Sequence, residues 1–206
     1  MRRDPILAPV IKKHRKRSPL DAPTLDPFPA LVRTITAQQI STKAAATIHG
    51  RLTALMPNGV TPDAMLALTD DRFRQAGLSR QKIGYLRDLA SKVKSGELPV
   101  ASLHELDDEA VIEAIVKVKG LGRWSAEMFL MFRLRRPDVL PVGDLGIVTA
   151  IQRLYGLRKK PKAVGIMKIG DAWRPYRTVA CWYLWRSLEN QQRKTEDGRR
   201  KTENKR

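Results

Sequence analysis

A chain of 206 residues is long enough to bury a core without cross-links, and its single cysteine, Cys181, excludes an intramolecular disulfide framework, a cysteine-based zinc site and a four-cysteine iron–sulfur cluster. The formal net charge is +18; removing the five charges of "KKHRKR" (12–17) and the net four of residues 191–206 still leaves nine on the rest. A folded part that is basic in its own right favours a polyanionic partner, nucleic acid above all.

The N-terminal segment, residues 1–27, is rich in proline and basic residues and is expected to be extended. Its apolar stretch is too short and too proline-broken for a signal peptide, and no apolar run is long enough to span a membrane, so a cytoplasmic or nuclear protein is expected. The next stretch, "FPALVRTITAQQISTKAAATIHGRLTAL", sets Leu31, Ile35, Ile40, Ala44, Ile48, Leu52 and Leu55 close to helical spacing, with a break near the paired glutamines. "TPDAMLAL" reads as a short helix with Thr61 as cap and Pro62 in its first turn, and "TDDRFRQAG" as another stopped by Gly77. "SRQKIGYLRDLASKVKSG" starts a helix at Ser79 and ends it before Gly96. "DDEAVIEAIVKVKG" and "GRWSAEMFLMF" are two helices joined by a glycine turn. "DLGIVTAIQRLYG" and "DAWRPYRTVACWYLWRSLE" complete the set, and residues 191–206 lack apolar periodicity and are expected to be disordered. Hairpin dipeptides and strand-like alternation are missing, which makes the fold all-α.

The chemistry concentrates in three motifs. "KGLGRW" lacks the preceding strand and third glycine of a dinucleotide fingerprint, so it is a helix–helix turn. Glycines leave its backbone exposed, and the first amides of the second helix have no internal partners. Such a turn either binds a phosphate or simply joins two helices. Asp144 opens the helix in "PVGDLGIVTAIQ", twenty residues beyond Trp124; in isolation it reads as an N-cap. Trp182 and Trp185 lie three apart on one helix face.

Taken in order, "VKGLGRWSAEM", "LPVGDLGI" and "WRPYRTVACWYLW" resemble the helix-hairpin-helix DNA glycosylase superfamily, and within it the 3-methyladenine DNA glycosylase II (alkylpurine) branch in a compact form. The resemblance covers residues 28–190, with the basic segment before and the tail after. It implies two helical lobes with a DNA-binding cleft between them, and a likeness to monomeric enzymes acting on double-stranded DNA that carries damaged bases. It implies a hairpin at Gly120, Leu121, Gly122 and Arg123 that holds the DNA backbone. The superfamily often holds a structural Na+ or K+ in this turn through backbone carbonyls, here those of Val116, Val118 and Leu121; no other cofactor is implied. Asp144 matches the superfamily's essential acid, which stabilises positive charge on the sugar as the N-glycosidic bond breaks. Trp124 stands where members that also nick the backbone carry a Schiff-base lysine, so a monofunctional enzyme is expected. Trp124 and Trp185 are implied to form the base pocket, with Trp182 a further candidate and core packing the alternative for Trp182 and Trp185; Phe28 and Met128 are candidate lining residues by apolarity and position. "TITAQQIS" matches the wedge that fills the vacated stack, with Gln39 fitting better than Gln38. The implied activity is release of alkylated purines of the 3-methyladenine and 7-methylguanine type in base excision repair. Deaminated or etheno bases are the nearest alternative substrates, and a non-catalytic binder of damaged DNA is the alternative from a different class.

Overall fold

The computed structural model describes residues 4–14 and 26–188, and every element among them is helical. The chain divides into two compact units, one within Pro23–Leu134 and one drawing on Met1–Ala22 and Arg135–Arg206. None of the described helices is long and apolar enough to cross a membrane. The expected disordered tail, 191–206, lies outside the described residues.

The Pro23–Leu134 unit holds α2 (Pro27–Ala37), α3 (Thr42–Ala54), α4 (Pro62–Ala67), α5 (Asp70–Ala76), α6 (Arg80–Lys94), α7 (Asp108–Val116) and α8 (Arg123–Phe132), with a 3-10 turn at Leu103–Glu105. Ser41, Thr61, Thr69, Ser79 and Asp107 each cap the helix that follows by accepting an amide of its first turn. Gly77 ends α5 in the left-handed conformation, as its position predicts. The core draws Leu31, Val32 and Ile35 from α2, Leu52 from α3, Phe73 from α5 and Leu86 and Leu89 from α6, all fully buried. The break at the glutamines is real: α2 stops at Ala37, α3 starts at Thr42, and Ile40 between them is 37% exposed instead of joining the apolar stripe.

The second unit holds α1 (Ala8–His14), α9 (Leu145–Leu154), α10 (Ala163–Gly170), a 3-10 turn at Asp171–Trp173 and a further helix, α11, over 177–188. Two expectations are corrected here. The N-terminal segment is not extended throughout. The Asp4 carboxylate accepts the amides of Ile6 and Leu7 at 3.0 Å each, and its carbonyl accepts Ala8 at 3.2 Å, so the chain turns directly into α1. Pro9 sits in that helix's first turn, where its missing N–H costs nothing. The segment "DAWRPYRTVACWYLWRSLE" is not one helix either. Pro175 cannot continue the 3-10 turn, and α11 begins only at 177. The sequence reading also passed over α10, whose Gly165 and Gly170 mask its periodicity.

The N-terminal residues pack against later parts of the same unit. Besides the two amides, Asp4 accepts the Trp173 indole N–H at 2.6 Å and the Tyr155 hydroxyl. Burial pushes the Asp4 carboxyl up, but the four hydrogen bonds together hold it below the usual carboxylate range. Burial and the same carboxylate push the Tyr155 hydroxyl far up, so it remains a donor at all ordinary pH.

Candidate functional site

The glycine turn leaves α7 at Val116 and enters α8 at Arg123. Gly120 has φ +82°, which favours glycine, and a Cβ there would lie 2.2 Å from the Tyr85 ring. Gly122 caps α8 with extended backbone, and a Cβ on it would meet nothing within 4 Å, so this face of the turn is open. The Lys119 amide is already taken by the Asp88 carboxylate at 2.8 Å, and the Leu121 amide by the Val118 carbonyl at 3.1 Å. Among the described residues the amides of Gly120 and Gly122 have no acceptor, and they lie at the N-terminal end of α8.

Arg123 was expected to face a DNA phosphate. Its guanidinium instead grips Glu109 in bidentate fashion at 2.5 and 3.0 Å and reaches Glu127 at 3.3 Å. Those hydrogen bonds hold the Glu109 carboxyl below its ordinary value and raise Arg123. Arg174 and Arg177 pair with Asp138 at 2.9 and 2.8 Å.

Beside the turn lies a pocket of about 680 Å³. It gathers Trp124 and Met128, one turn apart on α8, with Gly120, Gln38 and Gln39. Four of the residues expected from the hairpin, the base pocket and the wedge therefore meet with Trp124, which is 49% exposed. The two glutamines differ. Gln38 donates its side-chain amide to the Gly120 carbonyl at 2.7 Å. Gln39 is exposed, at the tip of the turn, with φ +57°. Leu121 and Val118 are buried, so only their backbones face the turn, whereas Val116 is 41% exposed.

Asp144 lies in the other unit, 8% exposed, at the N-cap of α9. Its Oδ1 accepts the Ile147 amide at 2.7 Å and the Trp185 indole N–H at 2.9 Å. The N-cap reading is met: the helix start fixes the carboxylate, and α11 supplies a second donor. Trp185 holds the acid, while Trp182 stacks edge-on against Tyr183 at 5.0 Å and carries the Arg186 guanidinium over its face at 4.8 Å. Phe28, weighed on sequence as a lining residue, is buried in the core.

Several residues escaped the sequence reading. Tyr85, Lys82 and Asp88 on α6 all address the glycine turn or the wedge turn. For Tyr85 and Asp88 the signal was a polar stripe at 81, 85, 88 and 92, set apart from the apolar Ile83, Leu86, Leu89 and Ala90; Lys82 lies off that stripe. Gly146 also escaped: a Cβ there would lie 2.8 Å from the Trp185 ring and 3.0 Å from Asp144 Oδ1. Only glycine lets the indole reach the acid.

A helical fold with an exposed glycine hairpin, an aromatic pocket beside it and a carboxylate locked at a helix N-terminus defines a helix-hairpin-helix protein with a candidate active site. Residues 32–175 match the family model described as HhH-GPD superfamily base excision DNA repair protein, and the chain belongs to that family. A DNA-3-methyladenine glycosylase 1 of Schizosaccharomyces pombe is 36% identical over 165 residues, 79% of this chain and 72% of that protein. The crystal structure of a DNA-3-methyladenine glycosidase from Bacillus halodurans superposes with a TM-score of 0.75 at 37% identity, covering 89% of each chain. A 3-methyladenine DNA glycosylase of Schizosaccharomyces pombe in complex with abasic DNA gives a TM-score of 0.78 at 31% identity, covering 90% of this chain and 92% of that one.

Proposed function

We propose that this chain is a monofunctional DNA glycosylase of base excision repair. It hydrolyses the N-glycosidic bond of alkylated purines in double-stranded DNA and leaves an abasic site. The observation that carries the reading is Asp144, a buried carboxylate with Oδ1 fixed by two donors, in a chain whose family and relatives are base-excision proteins.

Breaking the bond places positive charge on the sugar, and a carboxylate already held in place stabilises it without reorganising. The same group orients, or takes a proton from, the attacking water. An alkylated purine of the 3-methyladenine or 7-methylguanine type is already cationic and leaves readily, so one carboxylate suffices. Trp124 offers an electron-rich face to such a base, with Met128 beside it in the pocket. Because residue 124 is tryptophan and not lysine, no Schiff base forms there and the strand is not cut by that route. The amides of Gly120 and Gly122 hold a backbone phosphate, and Gln39 fills the space the extruded base vacates. The carbonyls of Val116, Val118 and Leu121 suit a Na+ or K+, since the Leu121 amide uses only one of the two lone pairs on Val118. Bound there, the ion would supply charge complementary to the phosphate. The working unit is a monomer.

The test is release of free base, read by mass, from duplexes carrying a 7-methylguanine. Asp144→Asn is expected to lose release while binding DNA as the unaltered protein does. Release by the Asn variant at the unaltered rate would refute the assignment, and a protein that binds the duplex but releases nothing would be a binder.

A further inference from the structure

Two turns of the Pro23–Leu134 unit carry residues in the left-handed conformation at the same pocket: Gln39 at φ +57° and Gly120 at φ +82°. Glycine accepts that geometry; glutamine rarely does, so something must hold Gln39 there. The holding group is Lys82 of α6. Its ammonium donates to the carbonyls of Thr36 and Gln38 at 2.7 Å each, the last carbonyls at the C-terminal end of α2. The Gln38 carbonyl belongs to the peptide that leads into Gln39. The Gln38 side chain then bridges to the Gly120 carbonyl at 2.7 Å, so one residue is fixed through its backbone by Lys82 and through its side chain to the hairpin. From the same face of α6, Tyr85 packs its ring against Gly120, and Asp88 takes the Lys119 amide at 2.8 Å. Three residues of one helix therefore set both turns.

We infer that Lys82 and Gln38 are positioning residues for base extrusion: they lock the Gln39 turn to the glycine hairpin, so that seating the hairpin on a phosphate fixes how far Gln39 enters the duplex. The inference rests on the glycosylase reading for its DNA partner but not on bond cleavage. Lys82 acts through the two carbonyls it holds. Burial lowers its pKa from the ordinary lysine value, yet both bonds use the charged form, which links the lock to the ammonium and not merely to the side chain's bulk.

The test separates extrusion from binding and from chemistry. A duplex carrying 2-aminopurine at the target position brightens when that base leaves the stack, whether or not it is released. With the unaltered protein the signal is expected to rise. Lys82→Met should lower the extruded fraction about tenfold, the worth of a charge-assisted hydrogen bond, with duplex affinity within about twofold. Lys82→Arg should recover most of it. Gln38→Ala, which leaves the half-buried lysine and its two bonds untouched, should show the same loss and guards against a folding defect in the lysine variant. Release of an alkylated purine placed opposite an abasic gap, where extrusion breaks no base pair, should fall less than twofold in either variant. Extrusion by Lys82→Met and Gln38→Ala equal to that of the unaltered protein overturns the inference, as does an equal loss on paired and gapped duplexes. If the unaltered protein extrudes 2-aminopurine but never releases an alkylated purine from any duplex, the glycosylase reading fails and the lock stands.

Discussion

Replacing Gly120 with alanine should be among the most costly single changes in the glycine turn, and its cost has two separable parts. The first is conformational: at φ +82° a residue with a Cβ is disfavoured by ~1–2 kcal/mol. The second is steric. The new Cβ would lie 2.2, 2.4 and 2.6 Å from three carbons of the Tyr85 ring, where carbon atoms normally sit ~3.5–4.0 Å apart. The ring cannot swing away without loss, because its hydroxyl accepts the Gln81 amide at 2.7 Å. Overpacking of this kind costs ~1–3 kcal/mol, so the sum is ~2–5 kcal/mol. Gly122→Ala is the control: its φ is −102°, its Cβ would meet nothing within 4 Å, and it should cost no more than the ~1 kcal/mol of a poorer N-cap. Urea denaturation followed by circular dichroism gives the midpoints. In a Tyr85→Ala background, Gly120→Ala should cost only the conformational ~1–2 kcal/mol. A Gly120→Ala midpoint equal to that of the unaltered protein, or a cost undiminished by removing the Tyr85 ring, would refute the account of this turn.

Two further outcomes follow from the second unit. Trp185→Phe keeps a ring but removes the indole N–H that Asp144 accepts, so single-turnover base release should slow about tenfold with substrate affinity nearly unchanged; an unchanged rate would show that the Ile147 amide alone orients the acid. The Asp4 carboxyl sits below its ordinary value in the folded protein, so its contribution to stability is full above an unfolded pKa of about 3.9 and is lost as pH falls through the folded value. Denaturation midpoints measured from pH 6 down to 3 should therefore fall more steeply for the unaltered protein than for Asp4→Asn, and parallel curves would count against the linkage.

Much of this molecule is local in origin, and local features are what a sequence displays. The caps Thr61, Ser79 and Asp144, the stop at Gly77 and the break at the paired glutamines depend on residues within a few positions of one another, and each stands where spacing puts it. The N-terminal helix was hidden because its start depends on Asp4, whose other partners, Tyr155 and Trp173, are more than 150 residues away.

The candidate site divides along the same line. The order of the glycine hairpin, Trp124 and Asp144 along the chain, with a tryptophan where a lysine would make a lyase, determined the class of chemistry to expect. Only the tertiary structure decided the pairings: Trp185 and not Trp182 on Asp144, Gln38 tethered while Gln39 stands exposed, and Arg123 committed to Glu109. A glycine inside a helix weakens it, and at Gly146 the reason for one is the Trp185 indole that it admits beside Asp144. Hydrogen bonds between residues 14 to 82 positions apart leave no periodic trace in a sequence, because each depends on how one helix face meets another. The polar stripe on α6 was visible as a stripe; that it meets the glycine turn while Lys82 beside it holds the glutamine turn is a consequence of packing alone.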